Sequence, residues 1–451
     1  MENLPLLERY GLFDAKVPRY TSYPPANHFQ NGVGLQSQKQ WLSAVPDASD
    51  ISVYIHIPFC KRLCWFCACR TQGTKTLDPV VGYVATLTKE ILAVKASLPA
   101  SIRMARLHLG GGTPTILSPA LMERLLTVVF EAFVPSDEFE FSVEIDPTDV
   151  GADLLQTLSD FGLNRASIGV QDFDPEVQNA IGRQQSIAQT NWVVDWLNNA
   201  GIQSLNFDLL YGLPHQTEDT FAKTIENVLK MRPDRLAIYG YAHVPWMSKR
   251  QVMIKDDDLP DPLTRLQLSE QAKNAFINAG YKPVGIDHFA LPSDSLAIAD
   301  ATGKLRRNFQ GYTDDTSPTL IGFGASAISR FAQGYAQNAV ATSAYQGRIA
   351  EGGFAGNKGF ALSSQDHLIA SMIEDLMCRF QIDLPLLFKT YPDKWSQIET
   401  YIAGLLSRFP DVLVRRDDVV ALRREARMLI RIIAHDIDGF RADLEAHSMA
   451  V

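Results

Sequence analysis

The residues of this chain best suited to chemistry are its cysteines. Cys60, Cys64, Cys67 and Cys69 fall within ten residues, directly after the apolar stretch 51–59, while Cys378 lies far away in sequence. Thiolates gather on one short loop when a soft ion or an iron–sulfur cluster offsets their mutual repulsion. Four thiolates can also hold a structural zinc in a tetrahedron. Disulfides fit poorly, because no secretory signal precedes the window and cysteines one residue apart close a strained ring. The cysteines alone leave zinc and iron–sulfur open.

The rest of the composition describes the protein that must position this loop. With 451 residues, 46% hydrophobic and 21% charged, the chain can bury a large core and is long enough for more than one domain. No apolar run approaches the roughly 18 residues of a membrane span. The N-terminus Met-Glu-Asn-Leu-Pro lacks the basic and apolar regions of a signal peptide, so no membrane association and a cytoplasmic location are expected. A net charge of −9 argues against a nucleic-acid partner, which usually requires a basic face.

From residue 50 onward, short apolar runs at 51–57, 106–109, 139–145, 165–170, 205–211 and 235–241 alternate with helical patterns at 81–98, 119–133, 153–161, 191–200 and 217–231. Repeated strand and helix predict an α/β fold with a parallel sheet. Six units are too few for a closed eight-stranded barrel, so the expectation is an open six-stranded (β/α)6 partial barrel. A further strand is expected at 281–289, after a helix at 263–279. The unusual residues follow the strands: the cysteine loop the first, Gly110-Gly-Gly-Thr-Pro114 the second, Glu144 and Asp146 the third, Gln171 and Asp172 the fourth, Asp208 and Tyr211-Gly-Leu-Pro214 the fifth, His243 the sixth. That maps them to the C-terminal rim, where barrel enzymes place their chemistry.

Each has a structural alternative. The glycines could serve only a tight turn, the carboxylates could be ion-paired rim residues, and His56 and His243 could be hydrogen-bonded within the fold. Glycine also lets a ligand approach backbone amides closely, and Arg183 could pair with a ligand carboxylate.

The spacing of three and then two residues between Cys60, Cys64 and Cys67, with Phe66 before the third, resembles the radical S-adenosylmethionine enzymes, in which three thiolates hold a [4Fe-4S] cluster and one iron stays open. The resemblance becomes closer along the chain. Pro18-Arg-Tyr-Thr-Ser-Tyr-Pro24, Tyr54-Ile-His-Ile-Pro-Phe-Cys60, Gly169-Val-Gln-Asp-Phe173, Asp208-Leu-Leu-Tyr-Gly-Leu-Pro214, Tyr241-Ala-His243, Asp287-His-Phe-Ala290, Asn308-Phe-Gln-Gly-Tyr312 and Tyr335-Ala-Gln-Asn338 are similar to the oxygen-independent coproporphyrinogen III oxidases.

That resemblance implies a reaction in haem synthesis: two propionates of coproporphyrinogen III become vinyls, giving protoporphyrinogen IX, by a 5'-deoxyadenosyl radical mechanism consuming two S-adenosylmethionine molecules. It implies Cys60, Cys64 and Cys67 as cluster ligands and Cys69 as a cysteine that does not bind iron. Tyr54, Gly111, Glu144 and Ile328 would contact the S-adenosylmethionine on the cluster. Phe66, Gly112, Thr113, Gln171, Arg183, Asp208 and Ala242 would line a second S-adenosylmethionine site. The implied partners are an electron donor for the cluster and a terminal electron acceptor, and the implied state is a monomer. The substrate carries four carboxylates, so cations are expected to meet it, and Arg19, Arg306 and Arg307 are the candidates.

From about residue 363 helical patterns dominate (366–379, 395–409, 424–433), with short extended runs at 412–416 and 419–422. The expected division is an N-terminal arm with a substrate-facing motif at 1–48, a catalytic domain at 49–362, and a helical, winged-helix-like lid at 363–451. The alternative function is a haem chaperone or haem-utilisation paralogue on the same scaffold. The Pro18–Pro24, Asn308–Tyr312 and Tyr335–Asn338 motifs and Cys69 favour the oxidase.

Overall fold

The computed structural model describes residues 3–202 and 204–440. The ends of the segments read as 1–48 and 363–451 therefore lie in part outside the described residues. By its internal contacts the chain forms two units, one of Phe29–Pro260 with Ser317–Ala361, the other of the residues up to His28, Asp261–Thr316 and the residues from Leu362 on.

The first unit is a mixed α/β body on a large sheet. Its strands β1 (Asp50–Ile57), β2 (Arg103–Gly111), β3 (Val134–Ile145), β4 (Arg165–Gln171), β5 (Ser204–Tyr211) and β6 (Arg235–Gly240) lie side by side in chain order, each parallel to the next. Helices α1 (Asp78–Lys95), α2 (Pro119–Ala132), α3 (Ala152–Asp160), α4 (Ile187–Asn199) and α5 (Glu218–Met231) follow β1 to β5 in turn. Local chemistry sets their starts: Ser118 caps α2 with Pro119 behind it, and Ser186 and Thr217 close capping boxes on α4 and α5. The sheet continues beyond β1 through β7 (Thr319–Phe323), parallel to β1, and then the antiparallel β8 (Ile328–Phe331), β9 (Gly334–Asn338) and β10 (Gly356–Ala361).

The period of two along each strand decides what the sheet holds. Ile51, Val53, Ile55 and Ile57 of β1, Leu107 and Leu109 of β2, Phe141, Val143 and Ile145 of β3 and Phe207 and Leu209 of β5 are buried. The residues that alternate with them and point to the opposite face are Ser52, Tyr54, His56, His108, Ser142, Glu144, Asn206 and Asp208. Parallel strands covered on both sides usually read as unbroken apolar runs; here one face is apolar and the other polar.

In the second unit the helix Ser364–Arg379 buries Leu368, Ile369, Met372, Ile373 and Leu376 against Ile398, Ile402 and Leu405 of the helix Trp395–Arg408. Leu7, Leu12, Tyr20 and Tyr23 join the same core. The Tyr20 hydroxyl donates to Asp438 at 2.8 Å, and Arg431 donates to the carbonyls of Pro18 and Val17. Gln381–Asp383, Val419–Leu422 and Leu413–Arg416 make a three-stranded antiparallel sheet. The single strand expected at 281–289 is instead two, Lys282–Val284 and His288–Ala290, paired antiparallel. The chain reverses at Gly285, whose φ of 58° is left-handed and whose added Cβ would sit 2.0 Å from the Tyr312 ring. The helix expected at 424–433 is a 3-10 turn, Arg424–Leu429, followed by the helix Ile430–Asp436. Among the described residues no helix is long and apolar enough to cross a membrane.

One buried carboxyl ties α1 to the β7–β10 extension. Glu90 accepts hydrogen bonds from the Gly324 amide at 2.8 Å, the Tyr345 hydroxyl at 2.7 Å and the Asn338 amide at 2.6 Å. Burial outweighs these donors and pushes its pKa up from 4.5 to about 7. Because the native value lies above the unfolded one, the contribution of Glu90 to stability is whole below the unfolded pKa and is lost as pH rises through the window between the two. Glu90→Ala leaves three buried donors without an acceptor and is expected to lower unfolding stability near pH 5 by about 3 kcal/mol. Urea unfolding across pH should show the gap between wild type and variant narrowing toward neutral pH.

Candidate active site

Because β1 to β6 are parallel, the turns that leave them share one edge. The cysteine loop leaves β1 there, and backbone pairing pins its neck. Phe59–Cys60 runs parallel to Gln72–Gly73, with Gln72 N–H donating to Pro58 O at 2.7 Å and Thr74 N–H to Cys60 O at 3.0 Å. On the other side Gly112 N–H donates to Ile57 O at 2.8 Å and Thr113 N–H to Phe59 O at 2.9 Å. Further along, Trp65 N–H donates to Ile181 O at 2.9 Å. Phe66 packs with Trp65 against Val177, Ile181, Leu213, Tyr241 and Ile254.

All the cysteines are free thiols; Cys60 and Cys64 are buried, Cys67 half-buried and Cys69 exposed. Burial pushes the Cys60 thiol up to about 11, against a hydrogen bond to Thr113 that lowers it. The hydrogen bond with Cys69 holds Cys67 below the ordinary thiol value, helped by the charges of Arg250 and Arg183. The same contact drives Cys69 upward. Arg183, buried, donates to Asp146 at 3.0 Å, to Gly169 O at 2.9 Å, to Gln185 Oε1 at 3.2 Å and to Cys64 Sγ at 3.7 Å. Among the described residues no three His, Cys, Asp or Glu side chains are gathered tightly enough for a single ion. The donor set suits a larger soft centre: three thiols on a loop pinned at its neck, one meeting Thr113, one Arg183 and one Cys69.

The residues expected around the loop lie in this unit. Tyr54 OH is 2.9 Å from His56 Nδ1, and His56 Nε2 is 3.2 Å from Arg70 O. The carbonyl can only accept, so Nε2 carries the proton and Nδ1 accepts from Tyr54; burial lowers the His56 pKa and keeps the ring neutral. Gly111, at φ 115°, leaves room for that ring, since an added Cβ would fall 2.5 Å from it. Gly111 N–H donates to Glu144 Oε2 at 2.9 Å. Burial raises the Glu144 pKa, but this amide and His108 outweigh it and leave the carboxylate below its ordinary value. Asp208 moves the other way, pushed up to about 6 by burial and by the charge of Glu144, although Asn206 and Ser167 donate to it. Gln171 closes β4 in a left-handed conformation, φ 66°, sparsely populated for a side chain of this kind and concentrated at functional sites. Ile328 opens β8 after the turn that carries Ala325, whose amide donates to the Tyr83 hydroxyl while that hydroxyl donates to His56 O, both at 2.8 Å. Ala242 sits between Tyr241 and His243, whose hydroxyl and Nδ1 lie 2.8 Å apart.

The three arginines expected to meet substrate belong to the other unit and part company. Arg307 is buried, 3.8 Å from Asp287 and with its guanidinium 4.3 Å from the centre of the Tyr312 ring. Burial raises the Asp287 carboxyl, but Arg307, His288 and Arg19 together hold it below its ordinary value. Arg306 instead pairs with Glu374 at 3.3 Å and stays partly exposed.

Sequence reasoning missed the polar ladder on the polar face of the sheet. Tyr54 stacks on His108 at 5.8 Å, His108 Nδ1 meets Ser142 Oγ at 2.7 Å, Asn206 donates to Ser167 at 2.8 Å, and Ser167 donates to Asp208 at 3.1 Å. The register places these residues opposite one another: Tyr54 with His108, His108 with Ser142, Glu144 with Ser167, Ser167 with Asn206. Polar residues at every second position inside parallel strands are the signal that would have found them.

The family model of the radical SAM superfamily matches residues 54–228. Over its whole length the chain is 50% identical to the Cereibacter sphaeroides protein named coproporphyrinogen III oxidase, anaerobic 1, and 48% identical to the Paracoccus denitrificans oxygen-independent coproporphyrinogen III oxidase, each alignment covering 100% of both chains. The solved structure of the Escherichia coli coproporphyrinogen III oxidase, described as a radical SAM enzyme, superposes with a TM-score of 0.90 at 35% identity, covering 94% of this chain and 97% of that one. A pinned three-thiol loop on the rim of a parallel sheet and full-length relatives at this identity lead to one conclusion: the chain belongs to the oxygen-independent coproporphyrinogen III oxidase family of radical SAM enzymes.

Proposed function

We propose that this protein converts two propionate side chains of coproporphyrinogen III into vinyl groups, giving protoporphyrinogen IX at the expense of two S-adenosylmethionine molecules. The observation that carries the reading is the cysteine loop, pinned by backbone pairs on both sides of Phe59 and Cys60 with Arg183 and Thr113 directed at its sulfurs. A [4Fe-4S] cluster with S-adenosylmethionine supplies, after one-electron reduction, a 5'-deoxyadenosyl radical able to take a hydrogen atom from the β-carbon of a propionate. The substrate then gives up carbon dioxide and one electron, so the reaction needs an electron acceptor outside the chain as well as a donor for the cluster.

In this reading Cys60, Cys64 and Cys67 hold the cluster, and Cys69, whose amide donates to Cys67 Sγ, does not bind iron. Tyr54, Gly111, Glu144 and Ile328 meet the first S-adenosylmethionine; the carboxylate of Glu144, held ionised by the Gly111 amide and His108, suits an amino group. Phe66, Gly112, Thr113, Gln171, Arg183, Asp208 and Ala242 line the second. Arg183 offers a buried cation to a carboxylate there, and Asp208 brings an acid that burial pushes up to about 6. Arg307, beside Asp287, and Arg19, whose charge also acts on Asp287, are the better candidates for substrate carboxylates than Arg306. The arm at 1–48, a catalytic partial barrel at 49–362 and a winged-helix-type segment at 363–451 are the functional divisions we propose, in a cytoplasmic monomer.

The test is an anaerobic assay of the reconstituted protein with S-adenosylmethionine, a strong reductant, coproporphyrinogen III and a cell extract as electron acceptor, read by chromatography of protoporphyrin and 5'-deoxyadenosine. Both products are expected, and both should vanish in Cys64→Ala. Formation of 5'-deoxyadenosine with coproporphyrinogen intact would mean the substrate is wrong; tight haem binding without either product would favour a haem-handling paralogue. Arg19→Ala should raise KM or lower turnover with iron content unchanged, and unaltered kinetics would remove Arg19 from the substrate set. In Gly112→Ala the new Cβ would lie 2.6 Å from Phe59 O and 2.9 Å from Ile57 O, both backbone atoms that cannot move aside. Iron bound per chain after reconstitution should therefore fall severalfold, which a colorimetric iron assay measures directly.

A further inference from the structure

After β6 the chain runs through Trp246-Met-Ser-Lys-Arg-Gln-Val-Met253, a segment whose pattern is inverted. Trp246, Met247, Val252 and Met253 are exposed, while Gln251 is 0% exposed. A buried glutamine costs free energy unless all its polar atoms are partnered, and here they are. Its Nε2 donates to Phe66 O at 2.7 Å and to Ala242 O at 3.1 Å, and its Oε1 accepts from Val244 N–H at 2.5 Å. Only this orientation of the amide satisfies all three, because both carbonyls can only accept and the amide N–H can only donate. The flanking residues hold the same loop: Ser248 Oγ donates to Cys67 O at 2.9 Å and Arg250 to Thr71 O at 2.6 Å.

From these contacts we infer that Gln251 is a positioning residue for the second S-adenosylmethionine, fixing through one neutral amide the distance between Phe66 on the cysteine loop and Ala242 at the exit of β6. The inference rests on the proposed assignment of Phe66 and Ala242 to that site. Gln251 spans the two carbonyls with a single side chain, and a two-donor group is required because each carbonyl takes one of the two N–H bonds. An acid of the same shape loses a donor when protonated and both when ionised.

The experiment is equilibrium dialysis of labelled S-adenosylmethionine against the anaerobically reconstituted protein, with iron content measured alongside. Wild type is expected to bind two molecules. Gln251→Leu should keep its iron and the tighter site while the weaker Kd rises about tenfold, because Phe66 and Ala242 are no longer held together. If the leucine variant fails to fold, Gln251→Glu serves in its place, and its weaker Kd should rise with pH as the carboxyl ionises against the two carbonyls. Wild type, whose second site holds Asp208, sets the reference pH profile, and a purely structural role would leave the profile of Gln251→Glu superimposed on it. Two sites at wild-type affinity in Gln251→Leu, or a Gln251→Glu whose weaker Kd follows the wild-type pH profile, would overturn the role of Gln251 and leave the two-site reading standing. A wild-type protein that binds one molecule would overturn the two-site reading and this role with it, and that result is visible before any substitution is made.

Discussion

The rim of this protein depends on one short stretch of backbone, Ile57 to Cys60, that forms hydrogen bonds on both of its edges. Gln72 and Thr74 take the carbonyls of Pro58 and Cys60, while Gly112 and Thr113 take those of Ile57 and Phe59. A loop of thiols could otherwise sample many conformations at an entropic cost that each bound ligand would have to meet. With both edges occupied, the loop leaves and returns at one fixed point. Such close backbone approach demands a residue without a side chain, and Gly112 meets it. The glycine run after β2 is thus a packing requirement of the cysteine loop before it is anything else.

Neutral amides hold the same rim where charges would be expensive. Gln216 donates to Asp172 and accepts from Gly212, Gln178 joins the carbonyls of Asp172 and Gln185, Gln185 orients Arg183, and Gln251 spans Phe66 and Ala242. Each is buried, and an amide carries donor and acceptor together without the desolvation penalty of an ion. Beside these amides the rim keeps one buried ion pair, Arg183 with Asp146, and on the polar face of the sheet Glu144 and Asp208 are driven apart: one lowered by a histidine and a backbone amide, the other raised to about 6 by burial and by the first one's charge. Two carboxyls whose environments separate their protonation can take different roles at one pH.

What could be read in the sequence followed from locality. The first six strands and their helices announce themselves by period and by caps, so their C-terminal turns and the residues in them fall where expected. Strands β7 to β10 do not: they are four to six residues long, and they join the sheet through β7 alone, which pairs with a strand more than two hundred residues earlier. The turn at Gly285 divides an expected strand because of the Tyr312 ring beside it, a non-local cause. Likewise, nothing in the local pattern of Leu7, Leu12 or Tyr20 says that they share a core with Leu368 and Ile433. The polar ladder was legible in principle, since Tyr54, His108, Ser142, Ser167 and Asn206 break apolar runs at alternate positions, but it is recognisable only once the strands are known to be parallel neighbours.

The adjacent arginines show how far a motif can be carried without geometry. Arg306 and Arg307 read as a doublet of cations, interchangeable as partners for a carboxylate. They lie on the short strand Arg306–Asn308, paired antiparallel to Gly311–Thr313, and successive strand residues point to opposite faces. Arg307 is opposite Tyr312 in register, buried on that ring and near Asp287; Arg306 turns to Glu374 in partial solvent. An exposed pair of that kind contributes little, whereas a buried guanidinium beside a carboxylate kept ionised by Arg307, His288 and Arg19 is held in one orientation. The strand period therefore allows only one of the two arginines to share a face with Asp287, and it assigns that place to Arg307.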